Sequence, residues 1–360
     1  MILNAAYYIA AQCGASPVAW GVSGVGKSAM IQAMAEWLGY KFICFIPSQH
    51  MPEDIGGIPF HNKERGVAEM VAMEWIQELT QPNVCLFIDE LTTAPSQMRP
   101  PLLTVLNERR VGKLSFHPST IVCSAANPPE FAPNSSPLEA SMLNRCYHHQ
   151  WVTPFDSWFA GMMNGGEFSM PTDFPVVGDY SMHLPKWSRL IGSLVKAQPN
   201  LRETKALPEG EMGFPSLRSW HRLAHCLAGA DKVGADGDVM AELGSGLVGS
   251  TGSSQLMTYV ASMDLYDPDA VVDGRESVDY AEDRIDQLVF LPVAMINALR
   301  TNSSDRRIDK ACEVMVSMGE HNMLDLVMAP LAEVAELFPN YKIPRSLAAR
   351  YGNLIKQIGA

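Results

Sequence analysis

The sequence predicts an α/β protein: a parallel sheet covered by helices on both faces, followed by an all-α region. Three observations predict it. Short apolar runs recur through the first 152 residues and alternate with segments of helical spacing. The runs are apolar on consecutive rather than alternate residues, the pattern of strands buried on both faces. Beyond about Trp151 the strand signals fade and helical periodicity takes over.

In chain order, residues 2–13 read as a short helix and PVAWGV (Pro17–Val22) as the first buried strand. A glycine-rich loop follows. The segment Ser28–Tyr40 has helical spacing and stops near Gly39. KFICFIP (Lys41–Pro47) is the second strand, and NVCLFIDEL (Asn83–Leu91), apolar until it ends in two acids, the third. SQMRPPLLTVLNERR turns helical after its prolines. STIVCSAANP (Ser119–Pro128) and YHHQWV (Tyr147–Val152) are the fourth and fifth strands. Leu184–Gln198, Ser216–Ala230 and Asp238–Gly249 read as helices. The stretch Asp264–Asp286 carries nine acids against Arg275 and Arg284, and its start reads as a linker or surface loop. Helices resume from about Ser277; the Met and Leu stripe of His321–Pro339 reads as core.

The 360 residues allow two or three domains, and 47% apolar residues suffice for ordinary cores. The net charge is −12, and residues 151–360 hold 27 of the 39 acids. An acidic chain without a basic run is poorly suited to tracking a phosphate backbone. The seven cysteines (13, 44, 85, 123, 146, 226 and 312) form no C-x-x-C pair and read as reduced thiols, three of them in strand runs. The first fourteen residues lack the basic start of a secretory signal. The longest apolar run, Leu288–Leu299, is too short for a bilayer and contains Pro292 and Asn297. The expectation is a soluble, cytoplasmic protein.

The chemistry starts at GVSGVGKS (Gly21–Ser28), of the form G-x-x-x-x-G-K-S, between an apolar strand and an amphipathic helix. Such a loop turns successive backbone N–H groups toward phosphate oxygens, and the following helix adds its positive end. The expected cradle for a nucleotide, ATP, is Gly21, Ser23, Gly24, Val25, Gly26, Lys27, Ser28 and Ala29. Lys27 would reach the outer phosphates, and Ser28 with Asp89 would hold Mg²⁺. Asp89 and Glu90 end the third strand, and Glu90 is the expected base for an attacking water. Two acids there favour hydrolysis over phosphate transfer by a kinase. Asn127, ending the fourth strand, could bond that water or the terminal phosphate. Arg145 reads either as a helix-end residue or as a finger supplied to a neighbour's nucleotide, and Arg218 could close over the γ-phosphate.

Order and spacing of these residues resemble the AAA+ ATPases, specifically the MoxR branch of the helix-2-insert group, over about Leu3–Ala230. The resemblance implies a P-loop AAA+ core at 1–153 and a helical lid at 154–263; the acidic linker or surface loop at 264–286 and the C-terminal helical region at 287–360 lie beyond it. MPEDIGGIPF (Met51–Phe60) resembles the segment leading into a hairpin insert at about Ile58–Met73, and Asn107–Pro118 resembles a second hairpin. Both would point into the pore of a homohexamer. Where other members often carry Leu-Asp-Arg-Phe, this chain has Leu143-Asn144-Arg145-Cys146. The implied activity is ATP hydrolysis that remodels or matures a protein client, including metal-cofactor insertion, often beside a partner with a von Willebrand A domain. Two alternatives stand beside it: a nucleic-acid motor using Arg109, Arg110 and Lys113, and an assembly protein locked by ATP.

Other residues read plainly. His221 and His225 have metal-compatible spacing but no third ligand in view. His148 and His149 alternate faces on a strand. Arg109 and Arg110 read as a hairpin base or as a contact to a neighbour's nucleotide. Tyr7 and Tyr8 read as packed on the sheet rather than stacked on adenine.

Overall fold

The computed structural model describes residues 2–128, 131, 136–168, 171–204, 210–261, 266–281, 285–342, 344–345, 347–350 and 352. The end of the Ser124–Glu130 motif and parts of the acidic stretch fall outside them. The chain divides into two compact units. One comprises Met1–Gly178 with Leu201–Ser254, the other Asp179–Asn200 with Gln255–Ala360.

The first unit begins with α1 (Ala5–Gln12), β1 (Pro17–Trp20), α2 (Lys27–Trp37), β2 (Lys41–Phe45) and α3 (Pro52–Gly56). A hairpin, β3 (Ile58–Asn62) and β4 (Val67–Val71), follows, then α4 (Glu74–Glu78), β5 (Val84–Ile88) and α5 (Arg99–Glu108). A second hairpin, β6 (Arg110–Val111) and β7 (Leu114–Ser115), precedes β8 (Ile121–Ala126), α6 (Ala140–Leu143), β9 (Tyr147–Gln150) and α7 (Phe155–Met163). All five predicted sheet strands and both hairpins occur where the sequence places them.

The five strands form one parallel sheet in the order β2-β5-β8-β1-β9. Alternate residues feed two cores, which is why the strand runs are apolar throughout. Val18, Leu86, Ile88 and Val122 pack against Leu102, Val105 and Leu106 of α5. Ala19, Cys85, Phe87 and Cys123 pack on the other face against Tyr7 and Tyr8 of α1 and Ile31 and Met34 of α2. Each fully buried side chain of this size stabilises the fold by about 1.5–3 kcal/mol. Tyr7 and Tyr8 are wholly buried, and the Tyr7 hydroxyl donates to the Ser124 carbonyl at 2.9 Å, so both rings pack on the sheet. Cys44 departs from the expected core position: it is exposed, because β2 is an edge strand.

Beyond these, α8 (Leu184–Ala197) belongs to the second unit, and α9 (Leu217–Lys232) to the first; α10 (Gly237–Ala261), broken at Gly249, belongs to the first as far as Ser254. The second unit continues with α11 (Pro268–Val272), α12 (Ile285–Leu288), α13 (Leu291–Thr301), α14 (Asp305–Glu320) and α15 (Leu324–Leu337). Part of the acidic stretch is thus a helical turn rather than a loop. Val271 and Val272 are buried, and Arg307 of α14 pairs with Asp269 and Asp273, offsetting their mutual repulsion.

Candidate functional site

In a parallel sheet the C-terminal ends of neighbouring strands lie on one edge, and ligands bind where the strand order reverses. Here that place is between β1 and β8, since the chain leaves β1 for the β2 edge and later returns past β8 to β9. The register Trp20↔Ala126 sets Gly21 level with Asn127, and Ile88↔Ser124 brings Asp89 to the same edge. Three separate stretches of sequence thereby meet.

The loop residues Gly24 and Gly26 have φ of 81° and 84°, a left-handed conformation that a side chain would strain. Gly26 is the cap of α2, so the helix begins at Lys27 with its N–H groups toward the loop. The Lys27 ammonium donates to the carbonyls of Gly21 (2.7 Å) and Val22 (2.9 Å) and to Asn127 Oδ1 (3.0 Å). Burial pulls its pKa down, and Asp89 acts the other way. Asn127 Nδ2 also donates to Ser23 Oγ at 3.1 Å, so this amide spans the mouth of the loop.

Ser28 Oγ donates to Asp89 Oδ2 at 2.8 Å. Hydroxyl and carboxylate oxygens side by side are the hard donor set that suits Mg²⁺. Glu90 sits at φ 54°, ψ 42°, rare for a non-glycine residue. Its N–H donates to Asp89 Oδ1 (2.9 Å) and its carbonyl accepts from Thr93 Oγ1 (2.9 Å). Among the described residues the exposed Glu90 carboxylate has no hydrogen-bond partner. Backbone strain of this kind costs on the order of 1–3 kcal/mol and is characteristic of functional positions.

Beside the loop lies a cavity of about 440 Å³, lined by Gly24, Gly26 and Met30 on one side and Pro154, Phe155 and Trp158 on the other. It is mainly apolar, with Thr153 and Ser157 as its hydroxyls. Sequence reasoning passed over α7. The overlooked signal is the aromatic cluster PFDSWF (Pro154–Phe159), placed directly after the last strand. Phe155, Trp158 and Phe159 are each about half exposed, more than packing against a core would leave.

Arg145 and Arg218 lie elsewhere. Pro17↔Tyr147 puts the start of β9 beside the start of β1, so Arg145 is at the opposite end of the sheet from Gly21. The separation is a strand's length or more, on the order of 15 Å. Arg218 opens α9, whose first turn packs on the same corner: Ser216 Oγ and Arg218 Nη1 donate to Asn144 Oδ1 at 3.0 and 3.4 Å. Arg145 Nη1 donates to Ser141 O at 2.8 Å, while its buried Nε has no partner among the described residues. Burial, then the nearby Arg218 charge, lowers the Arg145 pKa. Arg222 and Arg109 stand close by. Burial, then Arg222, holds the Arg109 guanidinium down to about 10. Arg109, Arg145, Arg218 and Arg222 form no ion pair with any described residue.

The remaining candidates have structural partners. Arg109 donates to Gly14 O and Ser16 Oγ, and Arg110 pairs with Glu108 at 2.6 Å. His148 Nδ1 accepts from Trp20 Nε1, and His149 Nε2 meets Asn4 Oδ1 at 2.9 Å. The rings of His221 and His225 lie 4.8 Å apart on α9. Among the described residues no helix is long and apolar enough to cross a membrane.

Residues 19–137 match the family model of the AAA domain, dynein-related subfamily. No curated protein matches the chain. Among solved structures, that of a "putative ATPase" from Cytophaga hutchinsonii is 13% identical with a TM-score of 0.44, covering 73% of this chain and 89% of that one. The matched segment runs from β1 past β8 and contains the glycine loop, Asp89, Glu90 and Asn127. With its parallel five-stranded sheet, phosphate loop and following helices, the chain has an α/β P-loop core of the AAA type succeeded by helical regions.

Proposed function

We propose that this chain is an ATP-hydrolysing, MoxR-like AAA+ ATPase that works as a ring of copies, a hexamer, and reshapes a protein partner. One observation carries the reading. The phosphate cradle and the Arg145–Arg218 pair lie at opposite ends of one sheet, and the pair forms no ion pair with any described residue. A nucleotide that needs both must lie between two copies. In this reading the γ-phosphate over which Arg218 closes is that of the neighbouring copy, the one Arg145 also reaches.

In the proposed reaction the α7 cavity receives the adenine, and backbone N–H groups of the loop hold the phosphates. Ser28 and Asp89 would hold Mg²⁺, which supplies charge neutralisation on the phosphate oxygens. Glu90 takes the proton of a water whose oxygen attacks the γ-phosphorus, and the bond to the bridging oxygen breaks to leave ADP and phosphate. Lys27 turns from Gly21 and Val22 to the outer phosphates, keeping Asn127 as neighbour. Arg145 and Arg218 of the adjoining copy stabilise the charge that develops, a contribution of about 10³–10⁵ in rate for such arginines.

The β3–β4 hairpin supports a protein client. Ile58, Phe60, Met70 and Val71 are exposed on it, apolar side chains suited to grip a polypeptide. The basic residues of the second hairpin favour a nucleic-acid role less, since Arg109 faces inward and Arg110 is paired. A von Willebrand A partner and a cytoplasmic setting remain part of the proposal. The test is turnover against protein concentration. Specific activity should rise with assembly, vanish in Lys27→Ala, and fall at least a hundredfold in Arg145→Ala while ATP still binds. Full activity in a monomer would refute the proposal.

A further inference from the structure

We propose that Arg222 is the positioning residue that locks Arg145 to helix α9, so that Arg145 and Arg218 are presented to the neighbouring nucleotide as one unit. This rests on the between-chain site proposed above and adds the device that holds its cationic half together.

The geometry is that of a three-way clamp. Arg222 Nη1 donates to the backbone carbonyl of Arg145, and Nη2 donates to Asn107 Oδ1 at 3.1 Å. One planar guanidinium thus joins α9, the corner between α6 and β9, and the last turn of α5. Its donors leave in fixed directions, so it sets orientation as well as distance. Arg218 lies four residues earlier on the same helix, hence on the same face. Ser216, the N-cap of α9, and Arg218 both reach Asn144. The first turns of α9 are therefore seated on Asn144–Arg145 from two sides, with Arg222 holding the backbone and Arg218 the adjacent amide.

Placing this group here has an electrostatic cost. Arg222 is half-buried, and Arg145 and Arg218 both oppose its charge. Glu108, the acid that acts on Arg145, is itself paired with Arg110. An apolar side chain would pack at this position without repulsion. What it could not supply is a donor to the Arg145 carbonyl, and that bond fixes the residue whose side chain must cross to the neighbour. Asn107 takes the second donor, so that any tilt of α9 carries the Arg145 corner with it.

The experiment uses the full chain under assembling conditions, with three variants: Arg222→Met, which keeps the packing stem, Arg222→Lys, which keeps the charge but has no fork, and Glu90→Gln, which spoils the cradle and leaves the arginines intact. Arg222→Met should lower kcat ten- to a hundredfold, as misplacement by about 1 Å does, with KM for ATP within twofold of wild type. Arg222→Lys should fall between. Mixing Arg222→Met with Glu90→Gln should restore turnover, because intact arginines of one then face the intact cradle of the other. Wild-type kcat in Arg222→Met overturns the inference. So does a loss of kcat with a raised KM and no recovery on mixing, which is the mark of general damage. If Arg222→Met does not fold, the same readouts on Arg222→Lys decide. An Arg145→Ala and Glu90→Gln mixture separates the two levels. Without recovery there, the between-chain site itself fails; with recovery there and wild-type kcat in Arg222→Met, only the role of Arg222 does.

Discussion

Replacing Trp158 by alanine tests where the base sits. Trp158 forms one wall of the cavity beside Gly24 and Gly26 and is 49% exposed. A tryptophan buries up to about 250 Å² when fully covered, so about 120 Å² of it is open here. A planar base lying on one face covers roughly half of that, about 60 Å². At about 25 cal/mol per Å² the contact contributes about 1.5 kcal/mol, within the range of about 1–3 kcal/mol for a base stacked on an aromatic ring. ATP affinity should drop about tenfold. Because the ring touches neither Glu90 nor Arg145, turnover at saturating ATP should stay within twofold. Trp158→Phe should recover most of the affinity. Calorimetric titration with ATP, alongside steady-state rates, reads both quantities. If Trp158→Ala binds ATP as tightly as wild type while Lys27→Ala does not bind, the base lies elsewhere and the assignment of the cavity is wrong.

Two further outcomes follow from packing and burial. His148 and His149 are both buried, and burial holds each down to about 4 against an ordinary value near 6.5. The unfolded chain binds more protons between those values, so this contribution is complete above about pH 6.5 and is lost as pH falls toward 4. Thermal unfolding should therefore shift down steadily from pH 7 to 4.5, and less steeply in a His148→Gln variant; equal slopes would contradict the burial argument. Gly246 of α10 lies against β9, where an added Cβ would stand 2.3 Å from the His148 carbonyl oxygen. Gly246→Ala should cost about 1–3 kcal/mol of stability, read by denaturant melts, whereas alanine at the unobstructed Gly192, inside α8, should stabilise by up to about 1 kcal/mol.

The sheet was legible because its signal is local and redundant. Continuous runs such as Cys85–Ile88 have few other ways to bury every side chain, and each is bracketed by a turn. Helix α7 was not legible, because its aromatic residues line a cavity instead of a core face, which blurs the amphipathic pattern. The turn Pro268–Val272 hid for a different reason. Its acids look like solvent-exposed loop until Arg307, far along the chain, is brought beside them.

The sequence by itself determined the phosphate cradle. Gly24, Gly26, Lys27 and Ser28 are contiguous, their strand and helix neighbours announce the turn, and the geometry they impose is a property of a few adjacent dihedrals. Only the tertiary structure decided where the cations stand. Arg145 and Arg218 are separated by more than seventy residues, and an arginine at a helix end looks the same in sequence whether it meets water or a neighbour. The packing of α9 on the Asn144–Arg145 corner put both at the far end of the sheet from the cradle. That distance, fixed by the length of a strand, is the gap that the proposed second copy would bridge.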